Sequence, residues 1–319
     1  MKIRLGYVAI ALNLGKLTSS STLTYSRYLK LNEKEKLEKL KKVTYSNLNA
    51  LEKILKYNID NDIHFYRMTS NLIPLATHPN VLWDYKKYFK KDFNYIGQII
   101  KDSNMRVDLH PDQFNVINSV KEDVVKSTLL NLNTAVDIFE LINYDQGKLV
   151  IHVGSAQGGK EESIKRFIDN FNTFPDRIKR RIILENDDKI FTAKDVLNIC
   201  NILKIPMVLD IHHHNCNNEN EDIEDFIEDI FKTWSHEELP PKMHFSTPRE
   251  FENDKKHSDF INCIDFINFL DKVKNKVNID FDIMIEAKKK DQSLFNLVDN
   301  LKKYDDKIKF IDKTTIEII

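Results

Sequence analysis

Eight short, almost continuously apolar runs alternate with longer helical patterns along this chain, and few folds accept that rhythm. The runs are residues 3–8, 63–68, 106–110, 149–153, 182–185, 207–212, 243–246 and 283–286. Strands that are apolar on both faces belong to parallel sheets covered by helices. Helical patterns occupy residues 33–55, 120–142, 161–171, 192–203, 223–234, 259–274 and 291–304. Thr192, followed three residues later by Asp195, reads as a capping box that opens one of them. The alternation predicts an α/β fold, a single (β/α)8 TIM barrel closed by right-handed crossovers. A length of 319 residues suits such a barrel. Only seven glycines occur, and no Pro/Gly-rich linker divides the chain, so one domain over 1–319 is expected.

Composition excludes several classes. No apolar run approaches the roughly 20 residues that span a bilayer. The apolar N-terminus reads as a buried strand rather than a signal peptide, which points to the cytoplasm. Three scattered cysteines, Cys200, Cys216 and Cys263, offer neither a thiolate zinc knuckle nor a disulfide framework. The net charge of -1 does not announce nucleic-acid binding, so any such surface must be local. Lysine runs such as Lys86-Lys87 and Lys288 to Lys290 read first as solvated faces.

The polar interruptions of the strands carry the chemistry. His110, His152, Glu185, Asp210, His244 and Glu286 stand at or near the ends of six consecutive runs, with Lys242 two residues before His244. In a barrel those ends converge on one face. Gathering several ionisable groups there is costly unless they pair or bind a cation. Histidine and carboxylate without cysteine suit ions such as Mn, Zn or Fe. The donors exceed what one tetrahedral ion needs, so a cluster of two or three divalent ions is expected, with Glu185 central enough to bridge. Such clusters steady the attacking and leaving oxygens in phosphodiester hydrolysis. Each residue alone has a plainer reading, as a hydrogen-bonded core histidine or a turn-forming Asp. Which of His212, His213 and His214 faces inward stays open, because neighbouring strand residues point to opposite sides.

Taken together, the motifs resemble the ultraviolet damage endonucleases, repair enzymes related to the endonuclease IV and xylose isomerase barrels. The resemblance runs from Arg4-Leu5-Gly6-Tyr7 to Met284-Ile285-Glu286. It is carried by Tyr66-Arg67-Met68-Thr69-Ser70, Ala76-Thr77-His78-Pro79, His110-Pro111-Asp112-Gln113-Phe114, Leu184-Glu185-Asn186-Asp187, Asp210-Ile211-His212-His213 and Lys242-Met243-His244-Phe245-Ser246, with His257 beyond. It implies metal ligation by His110, His152, Glu185, Asp210, His213, His244, His257 and Glu286, with His78 as a ligand or close neighbour. It implies a lysine, Lys242, that becomes a ligand when its amine is carboxylated, and catalytic roles for Glu185, Lys242 and His244. The favoured ion is Mn, with Zn, Mg or Co as alternatives. Gln113 and Phe114 would enter the duplex at the lesion, and Tyr7 and Asn13 would contact it.

The implied reaction is ATP-independent hydrolysis immediately 5′ to a cyclobutane dimer or 6-4 photoproduct, leaving 3′-hydroxyl and 5′-phosphate ends. The implied partner is damaged double-stranded DNA, with no membrane and no obligate protein partner. Three other readings share the barrel: an abasic-site nuclease of the endonuclease IV type, a metal-dependent sugar isomerase or epimerase, and a metal-binding protein without catalysis.

Overall fold

A computed structural model describes residues 1–304 and 306–319. Eight parallel strands close on themselves: β1 Lys2–Val8, β2 Phe65–Met68, β3 Arg106–Leu109, β4 Leu149–His152, β5 Ile182–Glu185, β6 Met207–Asp210, β7 Lys242–Phe245 and β8 Phe281–Ile285. Each pairs with the next, and β8 pairs with β1 along Ile3–Phe281 to Tyr7–Ile285. The ring is the predicted (β/α)8 barrel, with helices outside. All eight runs are strands, but residues 207–212 end as a strand at Asp210, which caps a short helix Ile211–Cys216 through a hydrogen bond from the His213 amide.

Period-two alternation sorts the side chains of each strand. On β7, Met243 and Phe245 face the helices, where Phe245 meets Phe266 and Phe269, while Lys242 and His244 face the lumen. On β4, β5 and β6 the lumen receives Val150, Ile183 and Val208, which pack with Trp234 as a small core of their own. The position of Gly6 is forced by packing. A Cβ there would lie 2.3 Å from the Phe65 carbonyl oxygen on the neighbouring strand, so any larger residue would push β1 and β2 apart.

Lower in the lumen lies a buried charge ladder. Asp282 accepts from Arg4 Nε and Nη2 at 2.6 and 2.7 Å and from Arg106 Nη1 at 2.8 Å. Asp108 accepts from Lys242 Nζ at 2.9 Å. Arg106, Asp108, Lys242 and Asp282 are all buried.

Two features were not evident in the sequence. A helix, Tyr85–Asp102, follows β2. A hairpin of β9 Ile308–Phe310 and β10 Thr315–Ile318 runs antiparallel to the first half of β1. Pairing of β1 with β2 is confined to Tyr7 and Val8, so the hairpin satisfies the backbone that β2 leaves free. The expected helix over 223–234 is two short pieces, Ile223–Asp225 and Ile227–Lys232. The Thr192–Asp195 capping box is present with both reciprocal bonds. Among the described residues, no helix is long and apolar enough to cross a membrane.

Candidate metal centre

The mouth of the barrel gathers the strand-end residues around one carboxylate. Glu185 Oε2 lies 3.0 Å from His110 Nε2 and 3.6 Å from His152 Nε2. Its Oε1 lies 2.8 Å from His244 Nδ1 and 3.5 Å from His213 Nδ1. Donor atoms of His110, His152 and Glu185 fall within 4.8 Å of one another, and so do those of Glu185, Asp210, His244 and Glu286. Glu185 belongs to both groups, so each of its oxygens can serve a different ion.

The second group is hard to explain without a cation. His244 Nδ1 has Glu185 Oε1 at 2.8 Å, Glu286 Oε1 at 3.2 Å and Asp210 Oδ2 at 3.9 Å. One ring nitrogen cannot answer three carboxylates. Asp210 Oδ2 is buried with no hydrogen-bond partner, as is His152 Nδ1 in the first group. Orphaned buried atoms of this kind are costly, and hard oxygen and imidazole donors fit a divalent ion.

Local folding explains the histidine triplet. Because Asp210 ends the strand and caps a helical turn, successive residues project about 100° apart rather than alternating. His213 turns to the cluster, with Nδ1 at 3.0 Å from the Asn186 carbonyl oxygen and 3.8 Å from Asp210 Oδ2. His212 packs against His257, and His214 against Phe226. Asn186 in turn brackets the Asp210 backbone, accepting from its amide and donating to its carbonyl, both at 2.9 Å. His257 comes from the long loop after β7. A bridge to Pro248 holds it, and its Nδ1 stands 3.9 Å from Glu286 Oε2.

The electrostatics follow from burial against counter-charge. Burial alone would raise the Glu185 pKa, but the rings of His244 and His152 and a hydrogen bond from His110 hold it well below the usual carboxylate range. Glu286 is likewise held low against burial, chiefly by Arg67 and His244. Burial lowers His152 and favours the neutral ring that a metal needs. Burial also pushes Lys242 down, to about 8, with Asp108 opposing the shift.

The residues predicted from sequence outside this cluster divide. Gln113 and Phe114 sit on the loop after β3, and Phe114 is 74% exposed. Gln113 lines a cleft of about 410 Å³ together with His152, His213 and Asp187. Asn13 is exposed on the turn after β1, bonded to Tyr57 and Gln292. His78 stacks on Tyr25 with ring centroids 3.9 Å apart. It lines a neighbouring cleft with Asp112 and Asn115 rather than bonding to the cluster. Tyr7 corrects the expectation of a lesion contact. It lies on the helix-facing side of β1, fully buried, and its hydroxyl donates to Asn58. A side chain enclosed in the core cannot reach a duplex. Lys242 Nζ is engaged by Asp108, a pairing that suits an ammonium.

A model of the family described as UV-endonuclease UvdE matches residues 3–318. The chain belongs to the UV-endonuclease UvdE family. A UV DNA damage endonuclease of Bacillus mycoides (strain KBAB4) is 40% identical over 299 residues, covering 93% of this chain and 94% of the relative. One from Bacillus cereus (strain B4264) is 39% identical over 302 residues, covering 94% and 95%. The crystal structure of SacUVDE superposes with a TM-score of 0.84 at 36% identity, covering 95% of this chain and 99% of that one. Endonuclease IV from Thermus thermophilus superposes at 0.57 with 10% identity, over 94% and 99%, a likeness of fold alone.

Sequence reasoning about this UvdE chain missed Arg67. It is the last residue but one of β2, pairs with Glu286 and supplies a guanidinium to the mouth. It stands within the motif Tyr66-Arg67-Met68, but as a cation it is not a metal-ligand type.

His213 gives the centre a pH signature. Burial disfavours its charge, but Asp210, Glu185 and Glu286 prevail and raise its pKa from 6.5 to about 9. A raised folded value means that metal-free protein holds this stabilisation fully below about pH 6.5 and loses it as pH climbs through about 9. Metal needs the unprotonated ring. Calorimetric titration with Mn²⁺ should therefore show affinity rising across that window, and His213→Ala should flatten the rise. An affinity indifferent to pH there would remove His213 from the ligand set.

Proposed function

We propose that this chain nicks double-stranded DNA immediately 5′ to UV photolesions, cyclobutane dimers and 6-4 photoproducts, as an ATP-independent repair hydrolase. One observation carries the reading from nuclease to lesion nuclease: a phenylalanine three-quarters exposed on the rim of the donor cluster. A ring standing this far out into solvent offers DNA bases a face to stack on. The names of the relatives point the same way.

The residues that would hold two or three divalent ions, Mn favoured over Zn, Mg or Co, are His110, His152, Glu185, Asp210, His213, His244, His257 and Glu286. When bound, such ions supply Lewis-acid chemistry, neutralising phosphate charge and making water more acidic. The chain's own residues do the rest. Glu185 and His244 fix the centre on which the scissile phosphate sits. Arg67 offsets the negative charge of Glu286. Lys242, anchored by Asp108, places a cation below the reacting group, and carboxylation of its amine would convert it to a ligand. Gln113 and Phe114 enter the duplex where a lesion has already weakened stacking, so selectivity comes mainly from the low cost of deforming damaged DNA. Asn13 flanks the same surface. The protein would act in the cytoplasm without an obligate partner.

Phe114→Ala tests the reading. Base–aromatic stacking contributes about 1–3 kcal/mol, so the preference for a dimer-bearing duplex over an undamaged one should fall roughly ten- to hundredfold. Metal content should stay the same. Single-turnover nicking of both duplexes measures this, and an unchanged preference would sever Phe114 from lesion recognition.

A further inference from the structure

A near-neutral chain that acts on DNA must concentrate positive charge somewhere, and one wall of the mouth does so. The loop after β7 folds back, its Ser258 amide donating to Thr247, and lies against the loop after β8, where the Lys288 and Lys289 amides donate to Ser258 and Asp259. This brings Lys255, Lys256, Lys288 and Lys290 around a cleft of about 290 Å³ whose inner end is Arg67 and Glu286. Lys255 is spent on Asp188. Among the described residues, Lys256, Lys288 and Lys290 form no ion pair, while the lysines of many surface helices do. Lys290 also holds a φ of 48°, a left-handed conformation uncommon for a lysine. Backbone strain of this kind gathers at functional sites. Lys290 lines the cleft half-buried and, among the described residues, without an ion-pair partner.

Position gives the wall a direction. In a ring of eight strands, β7 stands opposite β3, which bears Gln113 and Phe114, and the donor cluster lies between. On the proposed function, on which this inference rests, the lesion is on the 3′ side of the cut and meets the Phe114 rim. The opposite wall then faces the 5′ flank. We propose that Lys256, Lys288 and Lys290 grip phosphates of the damaged strand 5′ to the cut.

Single-turnover nicking of a dimer-bearing duplex over a range of salt tests this, with full-length wild type, the triple variant K256Q/K288Q/K290Q and the charge-keeping K256R/K288R/K290R. The glutamine variant should need roughly ten- to hundredfold more protein for half-saturation, and its log–log salt slope should be shallower by about three. The arginine variant should restore both. Methylphosphonates, which lack the phosphate charge, should weaken wild type when placed 5′ to the cut and leave the glutamine variant indifferent. Wild-type half-saturation and slope in the glutamine variant would overturn the proposal. So would a sensitivity to methylphosphonates that the variant loses only 3′ to the cut or only in the complementary strand. If wild type itself leaves the dimer duplex intact, the nuclease reading fails and this inference goes with it.

Discussion

Glu185→Ala is expected to empty the centre and lower nicking by about 10³-fold or more, on the scale of losing a preorganised charge at a reacting phosphate. Glu185 is the one residue common to both donor groups, and its two oxygens face four histidines. Removing it leaves His110 with His152 on one side and the Asp210–His244–Glu286 set on the other, with nothing to bridge them. Glu185→Gln keeps the volume and removes the charge, so it should lose metal nearly as completely. The barrel should survive both changes, because the side chain makes no contribution to the apolar packing outside the strands. Elemental analysis beside circular dichroism separates the outcomes. Full metal content in the alanine variant would show that the centre is held elsewhere.

The second large effect concerns the fold. Asp282→Ala removes the carboxylate shared by Arg4 and Arg106, and Arg106 is buried. Breaking a buried ion pair from one side costs about 3–5 kcal/mol, because the remaining charge stays buried. Asp108 also faces Arg106, at 3.4 Å, but it is already committed to Lys242. Denaturant unfolding of the metal-free protein should show a loss of about that size. A loss below about 1 kcal/mol would mean that Arg106 finds another partner, since that is the range of an exposed pair.

The site was legible in the sequence where the fold imposes a rule. Parallel strands send their carboxyl ends to one face, so His110, His152, Glu185, Asp210, His244 and Glu286 could be grouped from position alone. Their spacing in the ring is the spacing of the strands. His213 needed more, because the rule for a strand does not hold past Asp210. The chain turns helical there, and the side chains of the triplet diverge. His257 needed more still, since a loop of that length carries no periodicity, and it reaches Glu286 through its pairing with Pro248 and the bonds of Ser258 to the neighbouring loops. Tyr7 shows the opposite failure. A strand covered on both sides is apolar throughout, so pattern cannot tell which face a tyrosine takes, and this one faces the helix 33–60 rather than the mouth. The β9–β10 hairpin was unreadable for a related reason. Its strands are three and four residues long, and their role is to fill a gap in pairing that exists only once the barrel has closed.

On the proposed function, a Glu185-centred metal site beside an exposed aromatic loop cuts DNA at UV lesions. The most direct measurement incubates the protein and Mn²⁺ with matched duplexes carrying one cyclobutane dimer, one abasic site or no damage, and maps every nick to the nucleotide. The expected result is a nick immediately 5′ to the dimer, with 3′-hydroxyl and 5′-phosphate ends, abolished by chelation and by Glu185→Ala, and far slower cutting of the undamaged duplex. A dimer duplex left intact while the abasic duplex is cut, or while a sugar is isomerised, would contradict it.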